Sequence, residues 1–450
     1  MEDRIAHHRS QRCPGVIMLT HADNELMCRV GPQTGMGVAL RRYWLSAIAS
    51  TELPEPGGEP VHVELLGEHF VAFRDSEGRV GLLDEACCHR GASLLLGRVE
   101  GCGLRCIYHG WKFAVDGKVL ETPNVPDQKF KDRIRARAYP VREARGLIWT
   151  YLGPAELEPT FPNWLWHSAP ASNVLVTHHI VDCNYVQVLE GLVDSSHLGI
   201  LHSNGLRASL DSNLTYANKV SAMQFDLAPR IEEEATDFGF HYAALRAGTG
   251  GGDAAEVRVT AFVMPCIVLN PNGDVATVVV PMNDTRSRFF HVWWDPIKAV
   301  GEEPLRSETL RFVGLDPESM RNYGIAADSP PAERPSRLNR YYQDRAAISS
   351  GASFSGISGL IEEDVAAAAS GGAIRDRSKE KLSIADLAVG RLYRIYLESV
   401  RRVAAGMAPI GLGSDVDLAR ARGVSAPLPG SNDWRSLVPQ HRKSSIARQQ

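Results

Sequence analysis

Two short stretches hold residue types that can bind a metal and support redox or proton chemistry. The first, DSSHLGILHS, runs from Asp194 to Ser203. His197 and His202 lie five positions apart, with Asp194 three before the first. On a helix, residues at i,i+3 share a face, so Asp194 suits His197 as a carboxylate that steers an imidazole. Five steps of about 100° put His202 roughly 140° round from His197. For both to hold one ion, the helix must be broken or loosened between them. Gly199 and an i→i+5 π-type turn are the expected means. The competing reading is two unrelated histidines on a half-buried helix.

The second stretch, CCHRGASLLLGRVEGCGLRCIYHGW, runs from Cys87 to Trp111. It holds Cys87-x-His89 and, after sixteen intervening residues, Cys106-x-x-His109. A glycine follows each pair closely (Gly91, Gly110) and lets the backbone fold tightly and aim amides at sulfur. Three readings compete. A structural zinc site favours Cys and His at close spacing, but the usual finger pairs like with like, whereas each half here supplies one of each. A disulfide, Cys88 with Cys102 for example, runs against a reducing compartment. A Rieske [2Fe–2S] centre takes two cysteines on one iron and two histidines on the other, and this pattern fits it closely.

Together the two stretches resemble the Rieske non-heme iron ring-hydroxylating oxygenases, specifically the alpha (terminal oxygenase) subunit of the phthalate dioxygenase and phenoxybenzoate dioxygenase-like branch. The respiratory Rieske proteins differ: they carry an extra cysteine in each cluster loop, where this chain has Ala92 and Tyr108. The resemblance implies that Cys87, His89, Cys106 and His109 hold the cluster. It implies a mononuclear non-heme Fe(II) on His197, His202 and a C-terminal carboxylate, a facial triad with open positions. In SFSGISGLIEEDVAAAASGGAIRDRSKEKLSIADL (353–387), Asp364 is the expected third ligand. Glu362 and Glu363 are its rivals, and their alternative role is to favour a helix N-terminus through its dipole. By the same resemblance Asp194 joins His197 to His109 of the partner subunit, so a homotrimer or hexamer is expected. Glu190, one turn earlier, is expected to line that path or to be a solvated helix residue.

The implied activity is O2- and NADH-dependent hydroxylation of an aromatic compound, either as a cis-diol or by a single insertion, as in demethylation. No flavin or nicotinamide motif of note appears, so electrons must come from a separate NADH-dependent flavin and iron–sulfur reductase. The branch suggests an aromatic carboxylate of the phthalate or phenoxybenzoate type, and a carboxylate in an apolar pocket needs a buried cation. Arg258 in EVRVTAFVM is the first candidate, since alternation puts it on one face with Thr260 and Phe262. Arg246 is the second and Arg207 the third; the alternative for each is a surface ion pair, such as Arg258 with Glu256. Other classes remain in view: a Rieske monooxygenase or O-demethylase, a Rieske electron-transfer protein without a mononuclear site, and a zinc-stabilised binding protein.

The chain that must position these residues has 450 residues, enough for two or more domains. Its 49 basic and 53 acidic residues nearly balance and form no long run, so neither nucleic acid nor a membrane is an expected partner. MEDRIAHHRSQRCPG lacks the apolar core of a signal peptide, which points to the cytoplasm. Cys13, Cys28, Cys183 and Cys266 are scattered and read as small buried hydrophobes.

The expected fold class is α+β: an all-β Rieske [2Fe–2S] domain plus a helix-grip (START-like) catalytic domain with a curved antiparallel sheet. Residues 1–17 read as a flexible leader and 18–42 as an N-terminal helical segment. Residues 43–155 read as the Rieske domain, with short strands and turn signals. Residues 156–430 form the catalytic domain, and 431–450 a flexible tail. NVLVTHHIVDCNYVQVLEGLVDSSH reads as a strand entering the ligand-bearing helix. DFGFHYAALRA, EVRVTAFVMPCIVLN, DVATVVVPM and RSRFFHVWW read as successive strands, and GTGGGD (248–253) as a hairpin connection. SIADLAVGRLYRIYLESVRRVAAGM (383–407) has the apolar period of a long closing helix.

Overall fold

The computed structural model describes residues 19–204, 226–247, 255–271, 274–413, 416–429 and 432–439. Two short helices come first. α1 (His21–Cys28) opens with Thr20 and Asp23 capping each other, and α2 (Gly35–Leu40) follows.

Ten short strands then build three small antiparallel sheets. β1 (Trp44–Ala49) pairs with β10 (Leu147–Tyr151), which pairs with β9 (Val141–Ala144). β2 (Val61–Leu65), β3 (Glu68–Arg74) and β4 (Val80–Asp84) form the second sheet. β5 (Arg98–Glu100), β6 (Gly103–Arg105), β7 (Lys112–Ala114) and β8 (Val119–Glu121) form the third. Cys87 and Cys106 are buried in a small separate core with Val71, Phe73, Leu83, Leu104 and Phe113. That packing fixes the two loops that carry them.

The second half is one eight-stranded antiparallel sheet. Its order is β11 (Val174–Val181), β17 (Arg286–Trp294), β16 (Val275–Asn283), β15 (Ile267–Leu269), β14 (Ala255–Val263), β13 (Gly239–Ala247), β12 (Arg230–Ala235). β18 (Val424–Leu428) adds to β14. Every expected strand of this region forms, but EVRVTAFVMPCIVLN is two strands, divided by a turn at Met264–Cys266. The GTGGGD segment lies outside the described residues.

Between β11 and the sheet's return come α3 (Tyr185–Leu192) and a one-turn helix, α4 (Leu198–Leu201). Further on are α5 (Leu360–Ser370) and the long α6 (Leu387–Ala404). α6 buries Leu392, Tyr393, Tyr396 and Leu397 against the sheet, and Tyr396 Oη donates to the Pro265 carbonyl at 2.6 Å. This is the closing helix that the 3.6-residue period predicts.

Two sequence expectations need correction. The helix carrying the histidine pair is not loosened at Gly199 by a π-type turn. It stops at Leu192, and Gly199 sits inside the separate turn α4. The segment after 430 is not uniformly loose either: Trp434 is buried, packs with Ala243, Val257, Val259 and Leu428, and donates its indole N–H to Glu232 at 2.9 Å. Its apolar area outweighs the polar composition around it.

Leu392 is fully buried on α6. Leu392→Ala is expected to destabilise the protein by about 3 kcal/mol, through lost transfer energy and a residual cavity. Chemical denaturation followed by tryptophan fluorescence would check this.

Candidate active site

The cluster region is two matching loops. The Gly91 amide donates to the Cys87 carbonyl (2.8 Å) and the Gly110 amide to the Cys106 carbonyl (3.1 Å). The Cys87 amide donates to the Ala92 carbonyl (2.9 Å) and the Cys106 amide to the Trp111 carbonyl (2.8 Å). Gly91 and Gly110 have φ of +71° and +74°, which a side chain would oppose. His89 and His109 stand half-exposed with ring centroids 4.5 Å apart, and His89 stacks on Trp111 at 4.2 Å. Cys88 and Cys102 are both free, so the disulfide reading fails. Two buried thiols beside two accessible imidazoles fit the donor set of a Rieske cluster.

The second constellation starts from Asp194. Its Oδ1 accepts from the Ser196 amide (2.7 Å) and hydroxyl (2.6 Å), and its Oδ2 from the His197 amide (3.3 Å). A short carboxylate that takes its own downstream amides competes with the helix ladder. The chain therefore leaves α3 and restarts at His197, so that His197 and His202 flank α4. Asp194 Oδ2 also lies 3.1 Å from His197 Nδ1. Burial works to raise Asp194, but His197 and Ser196 hold it below its ordinary value. It is an ionised acceptor, and Nδ1 of His197 is the donor. The Nε2 lone pair is left for a metal.

α5 supplies the carboxylates. Asp364 Oδ1 lies 3.1 Å from His202 Nε2 and 3.7 Å from His197 Nε2. The ligand atoms of His197, His202 and Asp364 all lie within 4.8 Å of one another and could hold a metal ion. Glu363 is turned the other way round the same ring: its Oε2 meets His202 Nδ1 at 2.7 Å, while Ser355 Oγ donates to its Oε1 at 2.5 Å. Burial works to lower His202, but Asp364 and Glu363 together raise it to about 10. The site therefore favours positive charge, as a resident cation requires, and two imidazoles plus one carboxylate suit non-heme iron.

Glu362 and Glu363 both lie in the first turn of α5, the helix-start position expected of them, and both are buried. Burial pushes Glu362 up to about 8. In the sequence Glu363 reads as a rival to Asp364 or as a helix-start acid, not as a partner of His202. Its signal was its place directly before the ligand candidate, about 100° round the helix.

Glu190 is neither solvated nor free. It is buried, ion-paired with Arg375 and Arg377, and accepts from Tyr393 Oη at 2.7 Å. Together with Asp194, His197 and Asp364 it lines a cavity of about 410 Å³.

A second cavity opens on the sheet side of the same group. Tyr242, Arg258, Thr260, Thr277, Phe289, His291 and Trp293 line it with His202 and Asp364. Register explains this: Tyr242 pairs with Thr260 and Thr277 with His291, so each pair shares a face. Arg258 is buried in this wall rather than on the surface. Arg246 is buried elsewhere and donates to the Ser195 carbonyl at 2.7 Å and hydroxyl at 3.1 Å, bracing the loop before His197. Phe262 does not line the cavity, and Arg207 lies outside the described residues. His291 escaped the sequence reading, although alternation in RSRFFHVWW sets it between Phe289 and Trp293. Burial holds it neutral, lowering it to about 3.

Comparisons with known proteins identify the family. A model described as the Rieske [2Fe-2S] domain matches residues 43–139, and one described as LigXa C-terminal domain like matches 150–449. The chain is 37% identical to the phthalate 4,5-dioxygenase oxygenase subunit of Pseudomonas putida, over 93% of this chain and 94% of that one. The chain belongs to the Rieske non-heme iron oxygenases. The 3-chlorobenzoate-3,4-dioxygenase oxygenase subunit of Comamonas testosteroni is 36% identical over 93% of this chain and 97% of that one. Dicamba monooxygenase bound to 3,6-dichlorosalicylic acid shares the fold at a TM-score of 0.54 and 19% identity, covering 81% of this chain and 98% of that one.

This Rieske oxygenase is thus the oxygenase subunit of a multicomponent system that depends on a reductase partner, with a [2Fe–2S] cluster and a mononuclear iron as cofactors. Among the described residues no helix is long and apolar enough to cross a membrane.

Glu363→Ala frees His202 Nδ1 and is expected to weaken ferrous-iron retention by roughly 10–100-fold. Chelator competition would read this, with the visible spectrum of the cluster unchanged. Wild-type retention would show that Glu363 does not set His202.

Proposed function

We propose that this oxygenase hydroxylates an aromatic carboxylic acid of the phthalate or phenoxybenzoate type. The carrying observation is Arg258, a buried cation in the same cavity wall that faces His202 and Asp364. Both curated relatives named above are dioxygenase subunits whose names specify aromatic acids.

Cys87, His89, Cys106 and His109 hold the cluster; His197, His202 and Asp364 hold the iron. When bound, these groups supply single electrons and dioxygen activation. The remaining work belongs to side chains. Arg258 takes the substrate carboxylate, and its planar fork fixes orientation as well as charge. Phe289 and Trp293 flank His291 along one strand and offer apolar faces to an aromatic ring. His291, held neutral, offers a hydrogen bond without a competing positive charge. Asp194 and Glu363 fix the two imidazoles, so that neither turns when substrate enters.

The working unit is a homotrimer or hexamer in the cytoplasm, served by an NADH-dependent flavin and iron–sulfur reductase. In it Asp194 reaches His109 of the partner subunit. The partial exposure of Asp194 and of His109 supports this arrangement.

Product analysis over a panel of aromatic acids, with labelled dioxygen and a generic reductase, tests the reaction and counts the oxygen atoms retained. Arg258→Ala is expected to lower kcat/KM for a carboxylated substrate by at least about 30-fold, or ~2 kcal/mol, with far less effect on its methyl ester. Equal losses on acid and ester would remove Arg258 from carboxylate binding.

A further inference from the structure

A second group of metal-ligating side chains lies on the Rieske domain, apart from the cluster ligands. His62 on β2, His69 on β3 and Glu85 just beyond β4 each turn one ligand atom to a common point, all within 4.8 Å of one another. The strand register brings them there. Glu64 pairs with His69 and His62 with Val71, so the two histidines are diagonal neighbours on one face. The Glu85 amide donates to the His69 carbonyl at 3.2 Å, which carries the chain after β4 alongside β3.

The spacings suit a small divalent cation. His62 Nε2 is 3.0 Å from His69 Nδ1 and 3.5 Å from Glu85 Oε2. Tetrahedral zinc, at about 2.0–2.1 Å from each ligand, sets its ligand atoms roughly 3.3 Å apart, between those two values. A hydrogen bond between the imidazoles explains one contact only. Whichever imidazole donates the hydrogen between the two rings, the approach of Glu85 Oε2 is left over, and a cation satisfies all three atoms at once.

The surroundings strengthen the case. Glu85 Oε1 is fixed by the Ser93 hydroxyl at 2.5 Å, the outer support that metal-binding carboxylates need. The neighbouring acids are already engaged: Glu68 pairs with Arg41 at 2.5 Å and Asp84 accepts from Tyr139 at 2.7 Å. Glu85 thus remains the carboxylate aimed at the histidines. It also anchors the first cluster loop, since its carbonyl accepts from the Leu94 amide at 2.7 Å and Cys87 lies two residues on.

We propose that His62 Nε2, His69 Nδ1 and Glu85 Oε2 bind a zinc-class divalent cation, with water completing a tetrahedron, and that its binding fastens the base of the first cluster loop. The ligands join β2, β3 and the segment directly after β4, so occupancy ties that segment to the sheet where the loop emerges.

Zinc would be titrated into iron-replete, cluster-loaded protein against a zinc-sensitive dye, with iron measured in the same samples. The expected result is about one zinc per chain at micromolar affinity or tighter, with iron content unchanged. His69→Ala and Glu85→Gln should each weaken uptake by at least ~10-fold. Zinc should also slow the thermal loss of the cluster's visible absorbance in wild type but not in His69→Ala. Equal uptake by wild type and His69→Ala, or uptake matched by iron release, overturns the site. Uptake without any change in cluster lifetime overturns the fastening of the loop.

Discussion

Two imidazoles and two carboxylates meet between α4 and the first turns of α5, and the rest of the catalytic domain is arranged round that meeting. Glu363 and Asp364 are successive residues, yet they reach opposite nitrogens of one ring, His202. This works because neighbours on a helix point about 100° apart and the imidazole lies between the two directions. The pairing outweighs burial on both sides: His202 is raised by the two carboxylates, and Asp364 is held below its ordinary value by His202 and His197.

Holding such a site requires rigid neighbours on every side. On one flank the sheet offers matched pairs, Tyr242 with Thr260 and Thr277 with His291, facing inward by register alone. On the other, α3 is pinned by Glu190. Its carboxylate meets Arg375, Arg377 and Tyr393, and Arg377 continues to Asn24 of α1 at 3.0 Å. A buried carboxylate with two guanidinium partners and a hydroxyl is well satisfied, and removing any partner would expose the others to desolvation without compensation. Through it the N-terminal helix, the segment after α5, and α6 all bear on the helix that leads to Asp194. The loop before His197 is braced again by Arg246 on Ser195.

The cluster loops follow a different logic. They depend on local backbone bonds and two left-handed glycines, with the thiols sunk in a small core of their own. Such a unit is decided by nearby residues. This is why its four candidate ligands stand out within a stretch of 25 residues, Cys87 to Trp111. The alternating strands and the long apolar period of α6 are equally local patterns, and they too could be read without coordinates.

What the sequence determined by itself was therefore whatever repeats or clusters at short range: the Cys/His loops, the Asp194–His197–His202 spacing, the strands and the closing helix. The tertiary structure decided everything that depends on segments far apart in the chain. It set Asp364 against Nε2 of His202 and Glu363 against Nδ1, a distinction invisible in a run of three acids. It turned Glu190 inward to two arginines some 185 residues away and gave Arg246 to a backbone carbonyl while leaving Arg258 in the cavity wall. It also ended α3 early, because Asp194 prefers its own amides to the helix. Local composition sets which elements form. Which of several similar charged groups faces a buried site is settled by burial, where each must find a partner from whatever element packs against it.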